Sequence, residues 1–186
     1  MTDDTKVIAA SATVELDDAS TVAELNAIAP KAGVITGSIA ATSLASLSDL
    51  STAGTDVITI TVNDANSTNL NAEDLSAIGG KTGGTVTVSN AVNIQGTTDQ
   101  VTAALVTADT KVTASTALVS LDDNPTISQL NDIAGKTAGA VTATLDANSL
   151  SNLGALTTAG TDVITCLLYT SPSPRDNRVS RMPSSA

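Results

Sequence analysis

Apolar positions along this chain follow two spacings in turn, and the alternation recurs at a nearly regular interval. Each unit begins with two Leu, Ile or Val residues three or four positions apart, continues through glycine, and ends in a segment of alternating apolar and polar residues. A spacing of three or four places both side chains on one face of a helix, whereas a period of two is typical of a strand with one buried face. The pattern therefore predicts short helices and short strands in turn.

Six such units are predicted within residues 1–165. Their helical pairs are Leu25 and Ile28, Leu47 and Leu50, Leu75 and Ile78, Val101 and Leu105, Leu130 and Ile133, and Leu153 and Leu156. The clearest strands are predicted at residues 57–62, 85–88 and 141–145. Asp, Ser, Thr or Asn precedes most of the helices, as expected of residues that cap free N–H groups. Because each strand leads through a helix to the next strand, we expect neighbouring strands to run parallel.

Longer repeats support the same division. Residues 7–31 align without gaps to residues 112–136, and residues 43–59 align to residues 149–165, with one residue inserted between the two aligned segments. A diverged copy lies between them, where residues 75–89 resemble residues 130–144. Repetition on this scale is the signature of a solenoid or an array.

One unit alone offers only a short helix and a short strand, which are marginal in isolation, so the units are expected to stabilise one another by stacking. The predicted fold is an α/β repeat solenoid, with parallel strands on one side and short helices on the other. A parallel β-helix, in which the leucine segments form corners, is the alternative. Residues 1–165 are predicted to form a solenoid fragment of about six strand-helix units.

The amino-acid composition limits the classes of function that we expect of this chain. Residues 1–165 contain no aromatic residue, His, Cys or Arg, which removes most catalytic side chains and any platform on which bases could stack. The whole chain carries a formal charge of −11, and this charge repels phosphates. We therefore expect neither nucleic-acid binding nor an enzyme. Paired carboxylates or a Ser and Lys dyad could still act chemically, but the carboxylates recur with the repeat, whereas an active site occurs once. No apolar segment approaches the roughly 20 residues that cross a bilayer, so no membrane insertion is expected, and no signal peptide is visible.

The C-terminal segment differs from the rest. Residues 166–186 read CLLYTSPSPRDNRVSRMPSSA and contain the only Cys and Tyr, all three Arg and three of the five Pro residues. The arginines and Asp176 contribute +2, which leaves −13 for residues 1–165. Reverse translation of this segment resembles the adapters of shotgun sequencing libraries. We interpret it as an artefactual disordered tail, and we expect the natural protein to continue past Thr165.

Two Gly-Lys-Thr segments resemble part of a phosphate-binding loop. They are GGKTGG at residues 79–84 and AGKTAG at residues 134–139. The first glycine of the loop motif would fall at Leu75 or Leu130, and each segment follows a predicted helix instead of preceding one. A helix stop is the favoured interpretation, with glycine after the helix permitting a left-handed turn.

Acidic residues lie at the predicted strand ends and have two interpretations. The candidates are Asp17, Asp18, Asp64, Asp122, Asp123 and Asp146. Stacked carboxylates could share Ca²⁺, which is bound by oxygen ligands, so these six residues are the candidate calcium ligands. Each also stands where a turn or a helix cap favours Asp, and capping is the preferred interpretation. No cofactor other than calcium is expected.

Threonines on the predicted strands could form ranks of hydroxyl groups on a flat sheet. They are Thr59, Thr61, Thr85, Thr87, Thr142 and Thr144. Such ranks resemble the Thr-x-Thr surfaces of ice-binding solenoids. The alternative is that threonine is simply well suited to an exposed strand.

The units STVAELNAIAPKAGVITGSI (20–39) and PTISQLNDIAGKTAGAVTATL (125–145) resemble the Ala, Thr and Val-rich tandem arrays of very large secreted or cell-surface bacterial proteins, of the type found in marine cyanobacteria. The resemblance covers residues 1–165. It implies a non-enzymatic spacer, adhesin stalk or surface-layer component, located at the cell surface or outside the cell. The expected partners are neighbouring repeats of the same protein, with end-to-end self-association of the solenoid.

Overall fold

The computed structural model describes residues 9–148 and 150–168, with only the backbone described at residues 9 and 10. Of the predicted tail, residues 166–168 belong to the described part, where they form the end of a strand. Residues 169–186 lie outside the described residues, and so does the prediction that they are disordered.

Short strands and short helices alternate along the chain. The strands are β1 (Ala9–Ser20), β2 (Ala32–Ile39), β3 (Val57–Val62), β4 (Asn69–Asn71), β5 (Val86–Val88), β6 (Asn93–Gly96), β7 (Val112–Thr113), β8 (Leu118–Leu121), β9 (Val141–Asn148) and β10 (Val163–Leu168). The helices are α1 (Val22–Ile28), α2 (Leu44–Leu47), α3 (Ala72–Gly79), α4 (Thr98–Val101), α5 (Ile127–Ala134) and α6 (Leu150–Leu153). A 3₁₀ turn follows α1 at Ala29–Lys31, and a π-helical turn extends α4 at Thr102–Val106.

All paired strands run parallel, in two five-stranded sheets. The strand order is β1-β2-β3-β5-β7 in the first sheet and β10-β9-β8-β6-β4 in the second. The α/β class and the parallel strands are therefore confirmed. The prediction of one strand in each unit is wrong for the middle of the chain, because the middle units contribute a strand to each of two sheets.

We number the units along the chain as residues 9–31, 32–53, 54–81, 82–110, 111–136 and 137–158, followed by the final strand β10. Units 3, 4 and 5 each place one strand in each sheet, whereas units 1, 2 and 6 contribute a single strand. The extra strands β4, β6 and β8 have only three or four residues, and β4 and β6 are rich in Asn and Gln. Strands this short and polar lack the alternation that identifies a strand in a sequence.

One hydrophobic core runs through the described units. Nine of the twelve predicted helical anchors are buried, and Ile28, Leu153 and Leu156 are partly buried against the same core. Strand β3 shows the predicted alternation, since Ile58, Ile60 and Val62 are all fully buried while the residues between them face solvent or are half-buried. The core consists of Ala, Val, Ile and Leu side chains, as the composition requires.

Side-chain caps begin five of the helices, as predicted. The capping residues are Thr21, Ser43, Asn71, Thr97 and Thr126, and each side chain accepts a hydrogen bond from a backbone N–H of the first turn. Three of these caps are reciprocal, because Glu24, Gln100 and Gln129 bond back to the N–H of the capping residue. These bonds satisfy donors that a short helix would otherwise leave free.

The left-handed turns expected at glycines after helices do not form. In the described residues only Ser67 (φ 62°) and Gly96 (φ 158°) have positive φ, and neither follows a helix. Glycine is needed instead where two units approach closely. A Cβ atom on Gly84 would collide with the backbone of Ile58 in the preceding unit, and one on Gly139 would collide with the backbone of Ala117.

Candidate functional site

Two of the candidate calcium ligands cap helices of the preceding unit. Asp64 follows β3, and its Oδ2 accepts a hydrogen bond from the backbone N–H of Leu44, the first residue of α2, at 2.7 Å. Asp123 follows β8, and its Oδ1 accepts bonds from the backbone N–H and the hydroxyl of Thr98, the first residue of α4. A carboxylate at a helix N-terminus is stabilising because it meets free N–H groups and the positive end of the helix dipole. These caps therefore act between units.

The other four candidate ligands do not join Asp64 and Asp123 in one cluster. Asp17 and Asp18 are exposed on β1, and Asp122 is exposed after β8. Asp146 accepts a hydrogen bond from Nδ2 of Asn124 at 2.7 Å. The structure brings no three of the six together, and within residues 9–148 and 150–168 no group of three or more Asp, Glu or Cys side chains is placed to hold a metal ion.

Two carboxylates that the sequence analysis did not single out each accept hydrogen bonds through both of their oxygens. Asp56 is only 5% exposed, and its Oδ1 accepts from the backbone N–H of Ile35 in the preceding unit at 2.8 Å. Its Oδ2 accepts from the N–H of Ala53 at 2.8 Å, which closes the turn before β3. Asp162 repeats both bonds with Val141 and Ala159 at 2.7 Å. The available signal was the identical segment TAGTDVIT around each Asp.

The threonines of the two Gly-Lys-Thr segments also join units. Thr82 is 2% exposed, and its hydroxyl donates to the carbonyl of Ile58 at 2.7 Å and accepts from the N–H of the same residue at 2.9 Å. Thr137 donates to the carbonyl of Ala117 in the unit before it. Lys81 donates from Nζ to the carbonyl of Ser48 at 2.9 Å. These groups are engaged by the protein's own backbone, which supports the helix-stop interpretation over a phosphate-binding loop.

Asparagines on two helices form a further set of contacts between units. Asn26 Oδ1 accepts from the N–H of Ser51, and its Nδ2 donates to the carbonyl of Asp49. Asn131 makes the same pair of bonds in the later copy, with Thr157 and Ala155. Each asparagine thus holds the end of the next unit's helix through both halves of its amide.

Part of the predicted threonine rank is present on the first sheet. Thr61, Thr87 and Thr113 occupy facing positions on β3, β5 and β7. On the second sheet Thr142 faces Ser120 on one side and Val163 on the other, while Thr144 faces Thr165. Neighbouring strands are about 4.8 Å apart, so the first sheet carries a short column of three evenly spaced hydroxyl groups.

Glu24 shows how the local contacts affect ionisation. The backbone N–H of Thr21 donates to Glu24 at 2.8 Å, and this bond lowers the pKa of the Glu24 carboxyl, with a further contribution from the Thr21 hydroxyl. Glu24 is exposed and belongs to the reciprocal cap of α1. The lowered pKa therefore accompanies a helix cap.

A groove separates α2 of unit 2 from α3 of unit 3. It encloses about 480 Å³, and its polar lining includes Asp64, Asp74 and Lys81. Leu44, Leu70 and Ile78 form its apolar floor.

No helix in the described part of the chain is both long and apolar enough to span a membrane. No protein-family model, curated protein or solved structure matches this chain. A functional proposal therefore rests on the contacts between the chain's own units.

Proposed function

We propose that this chain is a non-enzymatic structural segment of a larger cell-surface or secreted protein, folded as an α/β solenoid and serving as a spacer, adhesin stalk or surface-layer component. The observation that carries the proposal is what the polar side chains contact. Asp56, Asp64, Thr82, Asp123 and Asn131, from five different stretches of the chain, all bond to the backbone of a neighbouring unit. Side chains used in this way stabilise stacking and leave no group free for catalysis among them.

The strand order supports a solenoid. In each sheet the strands follow one another in chain order, so each unit adds one strand beside the strand of the unit before it. Repeat proteins built in this way depend on contacts between nearest neighbours, and their length is proportional to the number of units. A segment of this kind suits a protein that must span a distance or present a repetitive surface.

The partners in this proposal are further repeats of the same protein. Strand β10 is paired on one side only within the described residues, and its Val163 is exposed. An edge strand with exposed apolar residues pairs readily with another chain, which favours end-to-end self-association. The charge of −11 argues against nucleic acid as a partner. A location at the cell surface or outside the cell rests on the resemblance to surface arrays alone.

Duplicating two units tests the solenoid. Ile60, Val86 and Val112 face one another in successive units, so a second copy of residues 60–111 inserted after residue 111 preserves the register. Two added strands should lengthen the molecule by about 10 Å, at about 4.8 Å per strand, as measured from the maximum dimension in small-angle X-ray scattering. Deletion of residues 60–111 is the matched control and should shorten it equally. A maximum dimension that changes little in either variant would overturn the solenoid.

The column of Thr61, Thr87 and Thr113 favours one second candidate, an ice-binding surface. Regularly spaced hydroxyl groups on a sheet could order water, and the expected signal is thermal hysteresis that the substitution Thr87→Lys removes. Thr116, exposed in a turn away from the column, provides the control substitution Thr116→Lys. Absence of hysteresis in the unmodified protein rules out this candidate and leaves the structural proposal untouched.

A further inference from the structure

The groove between α2 and α3 lies where the second sheet begins. Strand β4 is the last strand of that sheet within the described residues, and it is hydrogen-bonded on one side only, to β6. Unit 2 offers no strand on the other side, because its chain enters α2 directly after a single bridge between Thr42 and Val62. The open edge of β4 therefore faces the helix α2 across the groove.

A change in unit length creates this groove. Thr36 pairs with Val57, whereas Ile60 pairs with Val86, so the second pair is separated by a longer stretch of chain than the first. The longer unit accommodates the loop before β4, where Ser67 adopts φ 62°. Because α3 follows this longer path while α2 follows the shorter one, the two helices leave about 480 Å³ between them.

The groove has an apolar floor and a mainly acidic rim. Leu44, Leu70 and Ile78 are 6%, 5% and 3% exposed, so each contributes a small apolar surface at the bottom. Asp64 and Asp74 stand at the rim. The rim also includes Lys81, which stays positively charged while its ammonium group donates to the carbonyl of Ser48, so the three charged side chains give the rim a net charge of −1.

We propose that this groove binds an extended peptide segment of alternating aliphatic and basic residues, which adds to β4 as a further parallel or antiparallel strand. Main-chain bonds to the open edge of β4 would supply affinity, and alternate side chains would enter the groove or face its rim. The apolar floor fits an aliphatic side chain. Asp74, the net negative charge of the rim and the charge of −11 on the whole chain fit a Lys or Arg side chain. The site goes beyond the proposed spacer function, and it gives one position in a repetitive molecule a distinct partner.

The open edge of the first sheet at β7 lies beside a different kind of pocket. Strand β7 ends the first sheet in the described residues, and a cavity of about 220 Å³ lies beside it. That cavity is less than half as large, and its only charged lining residue is Lys136. A basic peptide is therefore expected at β4 and not at β7.

The test measures binding of a fluorescent peptide, acetyl-Lys-Val-Lys-Val-Lys-Val-amide, to the full chain by anisotropy. We expect saturable binding, a loss of about tenfold or more when Glu replaces Lys in the peptide, and a similar loss when alternate peptide nitrogens are methylated. Methylation removes donors that strand addition needs and keeps every side chain. Equal binding of the methylated peptide would overturn strand addition, and equal binding of the Glu peptide would overturn the basic partner.

Two protein variants, each with a matched control variant, locate the site. Ala45 lines the groove and is exposed on α2, so Ala45→Phe should fill the groove and abolish binding without disturbing the core. Ala23 holds the equivalent position on α1 away from the groove, and Ala23→Phe should bind as the unmodified chain does. Asp74→Lys should weaken binding about tenfold, whereas Asp99→Lys, in the first turn of α4, should not. Unchanged binding in both Ala45→Phe and Asp74→Lys would overturn the proposal while leaving the spacer function standing.

Discussion

One eight-residue segment, TAGTDVIT, occurs twice in this chain, at residues 52–59 in the interior and at residues 158–165 near the end of the described part. Both copies form the same turn into a strand. Asp56 and Asp162 each accept one backbone N–H from within the turn and one from the strand of the preceding unit. The identical local sequence therefore produces identical bonds to the unit that comes before it.

The two copies differ in burial. Ile58 is fully buried, whereas the corresponding Ile164 is only half-buried. The preceding helices differ more, since Leu44 is 6% exposed and Leu150 is 76% exposed. In the interior copy the following unit covers the strand, and Thr82 bonds to both backbone groups of Ile58. A unit's own residues therefore determine its bonds to the preceding unit, while the following unit determines how much of it is buried.

Truncating the paired isoleucines Ile58 and Ile164 should give the largest difference in stability between the two copies. Ile58→Ala removes a fully buried side chain between two units, and we expect it to lower the free energy of unfolding by about 4 kcal/mol. Ile164→Ala removes the same atoms from a half-buried site and should cost about 1 kcal/mol. Urea unfolding followed by circular dichroism measures both. Equal losses would mean that the following unit contributes little to burial.

Adding a methyl group where the following unit approaches should have the next largest effect. A Cβ on Gly84 would meet the carbonyl of Ile58, and the backbones must separate to make room, so Gly84→Ala should cost about 3 kcal/mol. Gly160 belongs to the terminal copy and has no atom within 4 Å of an added Cβ, so Gly160→Ala should change stability by less than about 0.5 kcal/mol. The same unfolding measurement applies, and comparable losses at the two glycines would contradict the close approach of units 3 and 4.

The paired aspartates test the bonds that the two copies share. Asp56→Ala leaves the buried N–H of Ile35 without its acceptor, and we expect a loss of about 2 kcal/mol. Asp162→Ala removes equivalent bonds at a less buried site and should cost about 1 kcal/mol, since water can replace the carboxylate there. Amide hydrogen exchange should accelerate locally at Ile35 in one variant and at Val141 in the other. Exchange that stays slow at both amides would show that these bonds do not hold the units together.

Local signals in the sequence predicted much of the fold and few of the contacts between units. The spacing of Leu75 and Ile78 was enough to place α3, and Thr126 was recognisable as a cap, because both depend on neighbours along the chain. The partner of Asp56 lies 21 residues away and the partner of Thr82 lies 24 residues away. Such contacts depend on the register of stacked units, which no local pattern encodes.

The second sheet could not be predicted for a related reason. Strand β4 contains a single buried residue, Leu70, between two exposed asparagines, and three residues are too few to show a period of two. The strand exists because β6 lies beside it and offers hydrogen-bond partners, with Asn69 facing Asn93. The groove beside β4 follows from the same difference in unit length, so the candidate binding site could not be predicted before the pairing was known.

Compared with the substitutions above, adding Ca²⁺ should have the smallest effect on the stability of either copy of TAGTDVIT. A site with a dissociation constant of about 10 μM would add about 2.7 kcal/mol at 1 mM Ca²⁺, which would raise the melting temperature by several degrees. We expect a shift below about 1 °C, because Asp64 and Asp123 already accept backbone N–H groups and the six candidate carboxylates do not converge among the described residues. Differential scanning calorimetry with Ca²⁺, with Mg²⁺ as control and with a chelator measures this directly. A melting temperature that rises with Ca²⁺ alone, and that the chelator lowers again, would show that the carboxylates bind the ion between units. If Ca²⁺ made the terminal copy as stable as the interior one, an ion could replace the covering unit.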